Sequence, residues 1–123
     1  MRILFLGDIV GRPGRRIARQ AVAKAKACLG VDVVVANVEN ASGGVGIAAK
    51  TWTELCAMGI QVGTTGNHVW KHRDIEPVLA RGEGLLRPAN YPAPAPGVGM
   101  YIHPTPLGPV VVINLLGRTF MDA

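Results

Sequence analysis

Three short polar clusters each follow an apolar run: Gly7-Asp8, Glu39-Asn40 and Gly66-Asn67-His68. Their side chains suit metal-assisted phosphate chemistry. Carboxylate and amide oxygens accept hard or borderline cations, and an imidazole can carry a proton near neutral pH. A carboxylate between two divalent cations can bridge them, and two ions about 3.5 to 4 Å apart clamp the attacking and leaving oxygens of an in-line displacement at phosphorus. Glu39 is the candidate bridge. Asp8 would serve one ion, with Asn40 adding a carbonyl oxygen on that side, and Asn67 would serve the other. His68 is then left to protonate the leaving oxygen. Singly, Asp8 could equally be a helix-capping residue, Glu39-Asn40 a solvated loop and Asn67 a turn former.

What brings the clusters together is the pattern of elements before them. Ile3-Leu4-Phe5-Leu6, Val33-Val34-Val35-Ala36 and Val110-Val111-Val112-Ile113 are continuous apolar runs, as strands buried on both faces of a covered sheet require. Strands are predicted over Arg2 to Gly7, Asp32 to Val38 and Ile60 to Thr65, so that three parallel strands deliver the polar clusters to one carboxyl edge, where open α/β sheets bind ligands. Gly11, Pro13 and Gly14 read as a loop before a helix over Arg15 to Leu29, with Ile17, Ala21, Ala25, Cys28 and Leu29 on its apolar face. A Gly-rich turn, Ser42 to Gly46, precedes a helix over Ala48 to Met58. Asp74 is placed to cap a short helix over Ile75 to Arg81. The stretch Arg87 to Pro96 is too proline-rich for a helix or a central strand and reads as an extended loop from which Arg87 could reach a phosphate. Met100 to His103 and Pro109 to Leu115 read as a hairpin.

The chain has 123 residues, 49% hydrophobic and 17% charged, enough for one small domain with a buried core and too apolar for disorder. No apolar run approaches the roughly 18 residues of a membrane span, and Met1-Arg2 leads directly into a strand, so the expectation is a cytoplasmic protein that engages no membrane. Cys28 and Cys56 have no metal-type spacing and are taken as reduced helix residues. The net charge of +5, partly gathered in Arg12, Arg15, Arg16 and Arg19, favours anionic partners: a phosphodiester substrate or RNA. A non-catalytic, basic RNA-binding or regulatory protein is the main alternative. Gly7, Gly11 and Gly14 lack dinucleotide-fingerprint spacing, and Ile9 stands where a Gly-Asp-Ser esterase would carry its nucleophile.

Taken with Arg87-Pro88-Ala89-Asn90-Tyr91-Pro92 and Ile113-Asn114-Leu115-Leu116-Gly117-Arg118, the three clusters resemble YmdB-type proteins of the calcineurin-like metallophosphoesterase superfamily along the whole chain. The resemblance implies an α/β/β/α sandwich, of which these residues form the N-terminal portion, with parallel strands and covering helices. It implies a di-metal phosphodiesterase acting on cyclic nucleotides, 2',3'-cyclic ones among them, and two divalent or mixed-valence ions: iron, manganese or zinc. Asp8, Glu39, Asn40 and Asn67 become metal ligands and His68 the proton donor. The chain departs from the superfamily where Val10 replaces the histidine of Asp-x-His and where Val69 replaces the acid that often follows Gly-Asn-His. Related sites also take histidines from later strands, so the expectation is one metallophosphoesterase-like domain over residues 1–123, incomplete at its C-terminus. Its uncovered apolar sheet would favour self-association.

Overall fold

The computed structural model describes residues 1–121. β1 (Ile3–Leu6), β2 (Val33–Asn37) and β3 (Val62–Thr64) form a parallel sheet in the order β1-β2-β3, with Ile3 opposite Val33 and Val35 opposite Val62. Parallel pairing needs a crossover after each strand. α1 (Gly11–Leu29) and α2 (Ala49–Ala57) provide them. Residues beyond β3 extend the sheet briefly: Gly63 donates its N–H to Gly84 O and accepts from Leu86 N, in a parallel bridge with Leu85. β4 (Met100–His103) and β5 (Val110–Ile113) form the antiparallel hairpin expected, as a separate sheet.

The three-stranded sheet is covered by helices on one face and, over β2 and β3, on the other; Ile3 and Phe5 of β1 and Val111 and Ile113 of β5 are exposed, so those two apolar runs are not buried on both faces as expected. On one side Val34, Ala36 and Val38 pack against Ala18 and Val22 of α1, Trp52 and Leu55 of α2, and Val78 and Leu79 of α3 (Glu76–Ala80). On the other, Val33, Val35 and Val62 meet Leu86, Val110, Tyr101 and Val112. The layers therefore run helix, sheet, sheet, the first three of the expected sandwich.

Four local readings change. Gly11, Pro13 and Gly14 are the first turn of α1, not a loop: the N–H groups of a first turn have no intrahelical partner, so Pro13 forfeits no bond there, and Gly14 N already reaches Val10 O. The buried stripe of α1 is Ala18, Val22 and Ala25, about one residue round from the expected face, while Ile17 and Leu29 are exposed. Small alanines let the helix lie close to the sheet. Asp74 does not cap the helix that follows it; its carboxylate accepts from Ala49 N at the start of α2, and α3 is entered through 3-10 turns. The proline-rich stretch folds into successive turns, closed by Tyr91 N to Pro88 O and Ala95 N to Pro92 O. No helix is long and apolar enough to cross a membrane among the described residues.

Candidate active site

The parallel strands end at one edge, and the residues after them meet there. Gly7-Asp8 follows β1, Val38-Glu39-Asn40 follows β2, and Thr65-Gly66 leads from β3 into a 3-10 turn over Asn67–Lys71. Backbone bonds tie these exits together: Ile9 N to Asn37 O, Gly11 N to Asn40 O, and Val38 N to Thr64 O. The 3-10 turn is anchored further along, where Trp70 meets Tyr91 edge to face at 5.7 Å.

Side chains from all three exits then connect. Asn40 Nδ2 donates to Asp8 Oδ1 at 2.9 Å, and Asn40 Oδ1 lies 2.6 Å from His68 Nδ1. An amide oxygen only accepts, so the His68 proton sits on Nδ1 and Nε2 is the free ring nitrogen. Val69 left open what orients this imidazole. The answer is Asn40, which the sequence assigned to metal binding alone. Glu39 Oε2 accepts from His68 N at 3.3 Å and lies 3.8 Å from His68 Nδ1, and Oε1 accepts from Asn37 Nδ2 at 3.3 Å. Gly66 leaves room for the carboxylate, because a Cβ there would stand 2.5 Å from Glu39 Oε1 and the carboxylate would have to swing aside. Asn67 opens its turn with an exposed side chain that makes no hydrogen bond among the described residues. Asp8, Glu39, Asn40 and His68 are thus brought into one bonded group, with Asn67 beside it in the chain.

The Glu39 side chain is only 17% exposed, yet no lysine or arginine pairs with it among the described residues. A carboxylate removed from water needs a compensating positive charge. With His68 as the one basic side chain near it among the described residues, and with a second carboxylate at Asp8 and oxygen-bearing amides beside it, this carboxylate fits a divalent cation. The set is incomplete by itself: among the described residues no three His, Cys, Asp or Glu side chains cluster tightly enough to hold an ion. Glu39 also lines a groove of ≈ 640 Å³ between the two sheets, with Asn37, Thr64, Gly66 and Asn114 near it and Ile3 and Phe5 further along. Thr65 Oγ1 and Asn114 Nδ2 both donate to Leu86 O, which pins β5 against the end of β3 and fixes the width of that groove.

Other candidates have structural roles. Arg15 bonds Glu54 and Ala41 O, and Arg19 reaches Glu54, so two of the four clustered arginines tie α1 to α2. Arg87 is buried, with Nη1 donating to Pro88 O, and does not line the groove. His72 Nε2 contacts Val45 O and packs on Gly46, closing the Gly-rich turn. Asn37 was missed: it ends an apolar strand, and a lone polar residue on a buried face was the available signal.

Known proteins share this sequence and architecture. The family model described as "YmdB-like protein" matches residues 4–123. A 2',3'-cyclic-nucleotide 2'-phosphodiesterase of Bacillus subtilis (strain 168) is 39% identical over 121 residues, covering 98% of this chain and 46% of that protein. A crystal structure of a hypothetical protein from Thermus thermophilus superposes with a TM-score of 0.91 at 32% identity, over 100% of this chain and 48% of that one. A novel phosphatase from Mycoplasma pneumoniae superposes at 0.84 with 30% identity, over 94% and 43%. The chain thus spans slightly less than half the length of these relatives. With the match running through all three strand ends and both sheets, the chain belongs to the YmdB-like family.

Proposed function

We propose that the chain carries the oxygen-ligand half of the active site of a metal-dependent phosphodiesterase, with 2',3'-cyclic nucleotides as the substrate class. The observation that carries this reading is the Glu39 carboxylate, largely buried, paired with no lysine or arginine among the described residues, and joined through His68 to the Asp8–Asn40 pair at the shared strand edge. Support for the substrate class comes from the Bacillus subtilis relative, named for a 2',3'-cyclic-nucleotide activity.

Asp8, Glu39, Asn40 and Asn67 would hold two divalent or mixed-valence ions, iron, manganese or zinc, with Glu39 between them. When bound, such a pair supplies Lewis-acid polarisation of the phosphoryl oxygens and charge neutralisation for in-line attack. The chain's own groups do the rest. Asn40 holds the imidazole by Nδ1, so that a protonated His68 presents Nε2–H to the leaving ribose oxygen. Gly66 keeps the Glu39 carboxylate close against the turn. The groove beside Glu39 offers room for a nucleotide, with Thr64 and Asn114 as its polar wall.

The test is hydrolysis of a 2',3'-cyclic nucleotide by the natural full-length protein, with metal content measured on the same preparations. Asp8→Asn and Glu39→Gln each exchange an anionic ligand for a neutral one of the same shape. Both variants should lose most of their metal and their turnover together. Unchanged metal content in both would remove these residues from the site.

A further inference from the structure

Beyond the ligands themselves, we infer that Asn37 is the positioning residue for the Glu39 carboxylate, an inference that rests on the metal-centred reading above. Side chains alternate along a strand, so Asn37 falls on the same face of β2 as Val33 and Val35, the face packed between the sheets. A polar side chain in that row is out of keeping with its neighbours. Its amide Nδ2 donates to Glu39 Oε1 at 3.3 Å, while its Oδ1 is buried with no partner among the described residues.

That asymmetry identifies what orients the amide. Turned over, it would set Oδ1 against a carboxylate oxygen and lose the one bond it makes among the described residues, so the carboxylate decides the orientation at the expense of an unsatisfied acceptor. From the side of Glu39, the two oxygens are held separately: Oε2 by the backbone N–H of His68 at 3.3 Å, Oε1 by Asn37. With Gly66 offering no Cβ to displace it, these two donors fix the plane of the carboxylate. A carboxylate that would serve two ions benefits from a fixed plane, because its lone pairs then stay aimed while the ions bind. Partners of this kind, one bond removed from a metal, typically change affinity or activity about 10- to 100-fold when mutated.

The experiment uses the natural full-length protein and the variant Asn37→Leu, with the same branched heavy-atom skeleton, bulkier and without a donor. A crystal structure of the metal-free variant should show the Glu39 carboxylate rotated away from its wild-type position. A carboxylate left in place overturns the inference. In parallel, Mn²⁺ titrations followed by electron paramagnetic resonance should show affinity weakened about 10- to 100-fold, with the unfolding temperature in chelator nearly unchanged. Mn²⁺ affinity equal to wild type also overturns it. Should Asn37→Leu fail to fold, Asn37→Asp, which keeps the shape and turns a donor into a like charge, goes through both measurements with the same criteria. A wild-type protein that takes up no Mn²⁺, iron or zinc would refute the metal-centred reading instead, and the metal-free structure would still decide whether Asn37 holds Glu39.

Discussion

His68 is held at Nδ1 by the Asn40 amide, with the Glu39 carboxylate 3.8 Å from the same nitrogen, and this shapes what its loss should do. Both groups face Nδ1, so the ring is oriented and Nε2 is left as the nitrogen that can deliver a proton. His68→Ala should therefore keep its metal and lose about 10²- to 10⁴-fold in turnover, the usual contribution of a general acid. The loss should shrink on a reporter ester whose leaving group is acidic enough to depart unprotonated. Equal losses on good and poor leaving groups would assign His68 to substrate positioning. At this scale sequence reasoning named the residues that the structure gathers at one edge and left one contact among them unforeseen. Asp8, Glu39, Asn40 and His68 were recognisable because each follows an apolar strand. The Asn40–His68 contact joins residues 28 apart, and nothing local to Gly-Asn-His announces which distant group replaces the acid missing at Val69.

The elements deliver these residues through close packing on the sheet, most tightly at β3. A Cβ on Gly63 would stand 2.6 Å from Trp52 Cζ3 and 3.0 Å from Leu85 Cδ1, so the glycine lets α2 and the extra sheet segment lie against the strand that carries Asn67 and His68. Gly63→Ala should lower stability by about 1–3 kcal/mol through overpacking, measured by denaturant titration, and should shift the exit of β3 enough to weaken metal binding as well. A stable variant with intact metal content would show that α2 yields without moving the site. Strands were readable because a run such as Val33-Val34-Val35-Ala36 is hard to place except between two layers. The register of α1 was not, since Ile17 and Ala18 are adjacent in sequence and only contact with the sheet reveals that the smaller one faces inward. Pro13 and Gly14 looked like loop residues for the same reason: their tolerance in a first turn depends on where the helix starts. Arg15 and Arg19 both pair with Glu54, whose single carboxylate offsets one of their two positive charges.

Across the whole molecule, the groove beside Glu39 continues into apolar surface. Ile3 and Phe5 on β1 and Ile113 and Leu115 at β5 are all more than half exposed along it, and among the described residues β1 pairs only with β2 and β5 only with β4. Open strand edges beside exposed apolar side chains invite association. A polypeptide of residues 1–123 should therefore form dimers or larger species at micromolar concentration, seen by light scattering during gel filtration, and the double change Phe5→Lys with Ile113→Lys should return it toward monomer. A monodisperse unmodified polypeptide would show that this surface is tolerated in water. The groove's polar end carries the central claim, that Glu39 lies between two metal ions at the common edge of three parallel strands. The most direct measurement is an anomalous difference map from crystals of the natural full-length protein, prepared without added metal and recorded above the absorption edge of the metal found in it. Two peaks flanking Glu39, about 3.5 to 4 Å apart and within reach of Asp8 and Asn67, are the expected result. A single peak remote from Glu39, or none at this edge in a preparation that hydrolyses cyclic nucleotides, would contradict it.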